Sequence, residues 1–199
     1  MGNLRSVEKA FEQIGAEPTI TTDPETIAEA EGLVLPGVGA FPRAMSRIVE
    51  IGLDRSLVEA SGRGVPVLGI CLGLQLLFER SSEQGGADGL GLLQGDVVEV
   101  PAGGRKVPHI GWAAVSWERP SPLTDGLRPG EPFYFVHSYV ADPVSDELIG
   151  TASYGGRFAG VAGRGNVYGV QFHPEKSSAA GLRLLENFTR ICRQAGEHR

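Results

Sequence analysis

The sequence predicts a single-domain α/β fold with a mixed, mostly parallel open sheet flanked by helices. Two observations support this prediction. The first half of the 199-residue chain alternates segments of helical periodicity with short apolar segments that are typical of buried strands. The second half contains glycine-punctuated segments rich in valine and aromatic residues, which predict further strands, several of them antiparallel. A chain of this length can form one well-buried domain.

Four helices are predicted in the first half of the chain. Apolar residues at helical spacing predict a helix over residues 4–14 that ends at Gly15. Asp23 and Pro24 are residue types favoured at the start of a helix, and this second helix is predicted to end at Gly32. Two further helices, each followed or ended by a glycine, are predicted at residues 45–51 and 53–60.

The predicted strands of the first half are short, apolar and rich in branched residues, as strands covered on both faces are. They lie at residues 33–35 and 67–70. The strands of the second half are predicted at residues 97–100, 112–117, 133–140, 148–154, 158–162 and 167–172. A last helix over residues 178–195 carries Cys192 on its apolar face, so we interpret Cys192 as a packing residue.

The apolar period changes from that of a strand to that of a helix at Cys71. Leu74 and Leu77 follow at helical spacing, so the cysteine is predicted at a helix N-terminus, where the thiolate form is favoured. Gly69 and Gly73 flank it in the Gly-x-nucleophile-x-Gly pattern of a nucleophile elbow, whose sharp turn leaves little room for a Cβ. The alternative is a structural cysteine, because cysteine is often buried.

Two other motifs each allow two interpretations. The segment Pro36-Gly37-Val38-Gly39 follows a predicted strand and is either a simple turn or a loop whose backbone approaches a ligand. His173 and Glu175 are two residues apart in extended chain, so the carboxylate can bond the imidazole, although a surface histidine beside a turn is the alternative. With Cys71 they would complete a set of nucleophile, base and orienting group.

Composition limits the functions that we consider. The net charge of −6 and the lack of a concentrated basic segment argue against nucleic-acid binding. The sequence has no apolar run long enough for a membrane span, no secretory signal pattern and only two cysteines, too few for a disulfide framework. We therefore expect a cytoplasmic protein that acts on a small metabolite or another protein, without a metal or cofactor.

Three motifs, in this order along the chain, resemble those of class I (triad-type) glutamine amidotransferases. They lie at residues 36–39, 69–75 and 172–175. Five segments further resemble the glutaminase subunits of imidazole glycerol phosphate synthases, at residues 2–6, 71–78, 108–112, 133–139 and 172–177. The resemblance covers essentially the whole chain and implies one flavodoxin-like glutaminase domain over residues 1–199.

The resemblance also implies a reaction and a set of site residues. Cys71 would attack the side-chain amide of L-glutamine, His173 would transfer protons and Glu175 would orient His173, releasing glutamate and ammonia. The implied oxyanion groups are the backbone N–H groups of Gly37, Val38, Gly39 and Leu72. The implied glutamine-binding residues are Gln75, Glu83, Ser138 and Tyr139. The implied partner-contact residues are Asn3, Trp112, Tyr134 and Lys176.

The implied partner is a (β/α)8-barrel cyclase subunit in a heterodimer. It would receive the ammonia and form imidazole glycerol phosphate and AICAR in histidine biosynthesis. Two alternatives remain: the glutaminase of another synthase (anthranilate, aminodeoxychorismate or pyridoxal phosphate), and a non-catalytic scaffold of the same fold. The segments at residues 108–112 and 133–139 argue against the first alternative, and the intact Cys71, His173 and Glu175 argue against the second.

The start of the chain departs from the family pattern. The family opens with a strand that precedes Gly2-Asn3, and here only Met1 precedes them. We therefore expect the domain to lack the usual first strand, and an inner strand missing from a sheet would expose backbone groups. We hypothesise a misassigned start or a truncated chain. An intact mass of the native protein equal to that of these 199 residues would refute this hypothesis.

Overall fold

In the computed structural model, which describes residues 4–197, helices pack on both sides of a large twisted sheet. The helices of this part of the chain are α1 (Leu4–Gln13), α2 (Pro24–Glu29), α3 (Phe41–Glu50), α4 (Leu53–Gly62), α5 (Leu72–Leu76) and α6 (Ser178–Gly196). The strands are β1 (Leu33–Gly37), β2 (Val67–Cys71), β3 (Arg80–Ser81), β4 (Ala87–Asp88), β5 (Gly95–Glu99), β6 (His109–Trp117), β7 (Glu131–His137), β8 (Tyr139–Pro143), β9 (Leu148–Tyr154), β10 (Gly156–Arg164) and β11 (Val167–Val170).

The large sheet has the strand order β1-β2-β11-β10-β9-β6-β7, and a second sheet has the order β4-β3-β5-β8. The predicted α/β class with a mixed sheet and flanking helices is confirmed. The prediction of a mostly parallel sheet needs correction, because only β1, β2 and β11 pair in parallel in the large sheet. Connections such as the single residue Gly155 between β9 and β10 are too short for the crossover that parallel neighbours require.

Several element boundaries differ from the sequence-based prediction. Helix α2 ends at Glu29 instead of Gly32, and α3 begins at Phe41, with Pro42 in its first turn. Helix α5 is short and ends at Leu76. The single strand predicted at residues 133–140 is two strands, β7 and β8, because the chain changes from one sheet to the other at Ser138. The predicted N-cap is confirmed, since the Asp23 carboxylate accepts a hydrogen bond from the Thr26 N–H at 2.9 Å.

Strand β2 is buried along its whole length, as predicted for a strand covered on both faces. Its Leu68 and Ile70 pack in the core that contains residues of α1 and α6. Val67 packs in a second core with residues of α3 and α4, such as Met45. Burial on both faces fixes the end of β2, and therefore the position of Cys71, its last residue.

Two predictions concern chain outside the described residues. The predicted lack of the family's first strand concerns the start of the chain, and the partner-contact residue Asn3 lies there too. Among the strands that are described, β1 pairs with β2 on one side only. Over residues 4–197 no helix is both long enough and apolar enough to cross a membrane.

Candidate active site

Cys71 lies on a strained strand-to-helix turn. It is the last residue of β2 and the N-cap of α5, with φ 55° and ψ −110°, a backbone region that non-glycine residues rarely adopt. A Cβ on Gly69 would lie 2.6 Å from backbone atoms of Gly73, and a Cβ on Gly73 would overlap the carbonyl oxygen of Leu35. The predicted elbow is confirmed, because both flanking positions have space for glycine alone.

The turn after β11 holds His173 and Glu175 side by side, as predicted. The Nδ1 atom of His173 lies 2.9 Å from a carboxylate oxygen of Glu175, and both side chains are buried. The backbone of His173 is also fixed, because its N–H donates to the Tyr134 carbonyl at 2.9 Å. The Ser177 hydroxyl donates to the His173 carbonyl at 2.7 Å and accepts from the Tyr134 N–H at 3.0 Å. The imidazole is therefore oriented through both its ring and its main chain.

The fold brings His173 into hydrogen-bonding contact with Cys71. Burial disfavours the imidazolium, but hydrogen bonds and charge interactions with Cys71 and Glu175 outweigh burial and raise the pKa of His173 to about 9. Because Nδ1 contacts Glu175, the other ring nitrogen is the one available to the thiol. At neutral pH the histidine is thus protonated and adjacent to the sulfur.

Two further groups contact the sulfur, and sequence reasoning assigned neither of them. The Cys71 thiol lies 3.7 Å from the Val136 carbonyl oxygen, and the Gln171 amide nitrogen lies 3.8 Å from Sγ. A polar glutamine inside the apolar segment at residues 167–172 was a signal for Gln171. Val136 acts through its backbone, so its residue type carried no signal.

A cavity of about 330 Å³ opens beside Cys71, a size within the range of small-molecule sites. It is lined by residues from the β1–α3 loop, the elbow and the β7–β8 connection, together with residues of three other loops. These residues are Val38, Gly39, Cys71, Leu72, Gln75, Glu83, Pro108, Val136, His137, Ser138, Tyr139, His173 and Lys176.

All four predicted glutamine-binding residues line this cavity. Both N–H groups of the Gln75 amide are used within the protein, on the Tyr139 carbonyl at 2.9 Å and on Gln171 at 3.1 Å, which leaves only its carbonyl oxygen for a ligand. A carboxylate oxygen of Glu83 accepts from the Phe41 N–H at 2.9 Å, which anchors Glu83 at the start of α3. Among the predicted oxyanion residues, Val38, Gly39 and Leu72 line the cavity. Gly37 is paired with Cys71 at the end of β1 and does not.

Three of the predicted partner-contact residues lie together beside the cavity, whereas Asn3 lies outside the described residues. Of these three, Trp112 and Lys176 are exposed and Tyr134 is half-buried. Trp112 and Tyr134 are cross-strand neighbours on β6 and β7, and their ring centroids are 5.9 Å apart. The Lys176 ammonium lies 5.8 Å from the centroid of the Tyr134 ring and also lines the cavity. Trp112 is 52% exposed and Ile110, on the same strand, is 61% exposed. Large apolar side chains exposed together mark a surface for interaction with another protein.

Two buried histidines adjoin the cavity. The Nδ1 atom of His109 lies 3.1 Å from Nε2 of His137, and Nδ1 of His137 lies 3.1 Å from the Tyr139 carbonyl oxygen. Since a carbonyl only accepts, His137 donates from Nδ1 and accepts from His109 at Nε2. Burial and the neighbouring His109 lower the pKa of His137 to about 3, so it is neutral at physiological pH. Over residues 4–197 no cluster of three or more His, Cys, Asp or Glu is arranged to hold a metal ion.

The neutral His137 predicts an acid-sensitive stability. Its folded pKa of about 3 lies below the ordinary value of 6.5, so below pH 6.5 the unfolded chain binds a proton that the folded chain does not. This contribution to the free energy of unfolding is present above pH 6.5 and falls by up to about 1.4 kcal/mol per pH unit below it. We expect the free energy of unfolding, measured with urea between about pH 7 and pH 5, to fall less steeply with decreasing pH for His137→Gln than for the wild type. This range is roughly the one in which histidines titrate and carboxylates do not. Equal slopes would contradict the assignment.

Comparisons with known proteins agree with this geometry. The family described as Glutamine amidotransferase class-I matches residues 1–192. The imidazole glycerol phosphate synthase subunit HisH of Moorella thermoacetica is 52% identical, with 98% of this chain and 93% of that protein covered. The subunit of the same name from Salinibacter ruber is also 52% identical, with 96% and 91% covered.

Solved structures share the fold at lower sequence identity. A crystal structure of a glutamine amidotransferase is 20% identical with a TM-score of 0.76, and 96% of this chain and 95% of that chain are covered. The structure of PurLQS from Thermotoga maritima is 20% identical with a TM-score of 0.71, and 94% and 91% are covered. From the family match over residues 1–192 and these relatives, the chain belongs to the class I glutamine amidotransferase family and, within it, to the imidazole glycerol phosphate synthase HisH subunits.

Proposed function

We propose that this protein is the glutaminase subunit of an imidazole glycerol phosphate synthase and hydrolyses L-glutamine to L-glutamate and ammonia. The observation that carries the proposal is the buried arrangement of Cys71, His173 and Glu175 beside a cavity of about 330 Å³. The 52% identity to HisH subunits supports the same activity. As part of a biosynthetic enzyme, the protein is proposed to act in the cytoplasm.

In the first half of the proposed reaction, the Cys71 thiolate attacks the side-chain amide carbon of glutamine. The protonated His173, held by Glu175, gives its proton to the departing nitrogen, so that ammonia leaves and a glutamyl thioester remains on Cys71. Because the pKa of His173 is raised to about 9, the imidazole is protonated at neutral pH and can supply this proton. The oxyanion would be bound by backbone N–H groups at Gly39 and Leu72, and one such donor is worth about 3 kcal/mol in other acyl-transfer enzymes.

In the second half, the now neutral His173 takes a proton from water, and the resulting hydroxide attacks the thioester. Collapse of the intermediate releases glutamate and restores the thiolate and the imidazolium. Glu83 is the carboxylate on the cavity wall that would bind the ammonium group of glutamine. The carbonyl oxygen of Gln75, which only accepts hydrogen bonds, would join Glu83 in binding the ammonium group, and Ser138 and Tyr139 would hold the carboxylate.

The proposed partner is a cyclase with a (β/α)8 barrel, which would take up the ammonia and form imidazole glycerol phosphate and AICAR. The exposed Trp112 and Lys176 and the half-buried Tyr134 are proposed to face it, because they connect the cavity to the apolar surface of β6. Ammonia released at Cys71 would then pass to the partner through the cavity mouth beside Lys176.

The test of the proposed function is a glutaminase assay with and without the cyclase and its ribonucleotide ligand. We expect glutamate release that is stimulated by the partner and its ligand. Turnover that this cyclase does not change would favour the glutaminase of another synthase. No turnover under any condition would favour a non-catalytic scaffold.

The partner surface makes a separate prediction. Trp112→Ala removes a large exposed apolar group, so we expect weaker binding to the cyclase by about 2 kcal/mol, or about thirty-fold in Kd. Titration calorimetry of the two proteins measures this. Val49 is also exposed but lies on α3, far along the chain from this surface, so Val49→Ala is the matched control and should bind normally. Equal affinities for the wild type and Trp112→Ala would contradict the proposed interface.

A further inference from the structure

A wholly buried glutamine contacts the nucleophile from outside the cavity. Gln171 follows β11 and is 0% exposed, and its amide nitrogen lies 3.8 Å from Sγ of Cys71. Its main chain is fixed, because the Gln171 N–H donates to the Gly160 carbonyl at 2.9 Å. The parallel register, with Val170 opposite Ile70, places Gln171 beside Cys71.

The hydrogen bonds determine which end of the Gln171 amide faces the sulfur. The Tyr139 carbonyl can only accept, so the Gln75 group that contacts it at 2.9 Å must be the NH₂. The same NH₂ lies 3.1 Å from the Gln171 amide, so the Gln171 atom at that contact must be the oxygen. The NH₂ of Gln171 therefore faces Sγ. Gln75 thus fixes an N–H donor on the sulfur.

An N–H group that faces sulfur interacts more strongly with the thiolate than with the neutral thiol, since hydrogen bonds to a charged acceptor are stronger. If packing alone mattered at position 171, a methionine of similar length would fill the space without the cost of burying an amide. We propose that Gln171 is a positioning residue that orients and stabilises the Cys71 thiolate through an N–H donor whose direction is set by Gln75.

Several ionisable groups lie around the sulfur, and the substitutions used in the test must leave these groups unchanged. His137 lies at the end of β7. His173, which contacts Glu175, lies in the turn after β11. Glu83 and Lys176 lie on the cavity wall. Strand β1 and helix α5 contribute no titratable side chain. Substitution of Gln171 changes none of these groups.

The experiment measures the rate of alkylation of Cys71 by iodoacetamide against pH in the full chain. Mass analysis of the peptides separates Cys71 from Cys192. For Gln171→Met we expect the midpoint of the rate curve to rise by about one pH unit. The rate below both midpoints then falls about ten-fold, while the rate at high pH is unchanged.

Two further variants make the result specific. Asn187→Leu removes a buried amide whose bonds go to the carbonyls of Leu123 and Asp125, away from the sulfur, and should leave the midpoint unchanged. Gln75→Met removes the group that fixes the Gln171 amide and should give a smaller upward shift. If Gln171→Met does not fold, Gln75→Met carries the test. An unmoved midpoint in the folded variants, or an equal shift in Asn187→Leu, would overturn the proposal.

The kinetic consequence rests on the proposed function, whereas the alkylation result does not. With glutamine as substrate, Gln171→Met should lower kcat about ten-fold with little change in KM, because Gln171 contacts the sulfur and does not line the cavity. An unmoved alkylation midpoint in an enzyme that still hydrolyses glutamine overturns the role of Gln171 alone. A wild-type protein that hydrolyses no glutamine, yet shows the shifted midpoint in Gln171→Met, overturns the proposed function alone.

Discussion

Cys71→Ala is expected to reduce glutamine-dependent synthesis by the assembled enzyme by about 10⁴-fold or more, which is typical of removing a covalent nucleophile. The substitution deletes the sulfur that would form the thioester. It leaves the buried His173 and Glu175 in place, so the fold should be retained. Steady-state assays of the variant with its cyclase partner measure the loss.

Added ammonium provides the control for Cys71→Ala. Because the proposed cyclase uses ammonia at its own site, synthesis from ammonium salts should be the same with the variant as with the wild type. Cys192→Ala is the matched substitution at the other cysteine. Cys192 lies on α6 and packs in the core, so this variant should keep glutamine-dependent activity. Loss of the ammonium-dependent reaction in Cys71→Ala would contradict the assignment of Cys71 to glutamine hydrolysis alone.

Gly73→Ala is expected to cause the largest loss of stability of any single methyl addition at the elbow. The new Cβ would overlap the carbonyl oxygen of Leu35, a backbone atom of β1 that cannot rotate away. Helix α5 and strand β1 would have to separate, so we expect the free energy of unfolding to fall by about 3 kcal/mol or more. Urea denaturation measures the change, and glutaminase activity should fall with it because Cys71 shares the same turn.

The chain offers a control glycine for this prediction. Gly62 is the last residue of helix α4 and does not have a left-handed backbone conformation. A Cβ added there would have no neighbouring atom within 4 Å. Gly62→Ala should therefore be neutral or slightly stabilising, because alanine has the higher helix propensity. A Gly73→Ala protein as stable as Gly62→Ala would show that α5 and β1 are not packed as closely as described.

Local sequence patterns were sufficient for the elements that position the nucleophile. The change of apolar period at Cys71 depends on residues close in sequence, and so does the spacing of His173 and Glu175. These features were therefore predictable before the fold was known. The resemblance to the family then indicated that the two segments meet, which the geometry of the site now supports.

Features that depend on long-range pairing were not predictable in this way. The two-residue connection between β10 and β11 is too short for parallel pairing, and this local signal was not used, so the parallel share of the sheet was overestimated. Nothing local specifies that β11 then pairs with β2 in parallel. The contact of Gln171 with Cys71 depends on that same register. The His109–His137 pair likewise arises because these residues are cross-strand neighbours on β6 and β7.

The central claim is that Cys71 forms a glutamyl thioester with the help of an adjacent imidazolium. Its most direct test is an acid quench of the enzyme, assembled with its cyclase partner, early in a reaction with glutamine, followed by mass analysis of the Cys71 peptide. We predict a γ-glutamyl group on Cys71 in the wild type and none on this peptide in Cys71→Ala. Glutamine hydrolysis with no acyl group on Cys71 at any quench time, or with the acyl group on another residue, would contradict the account.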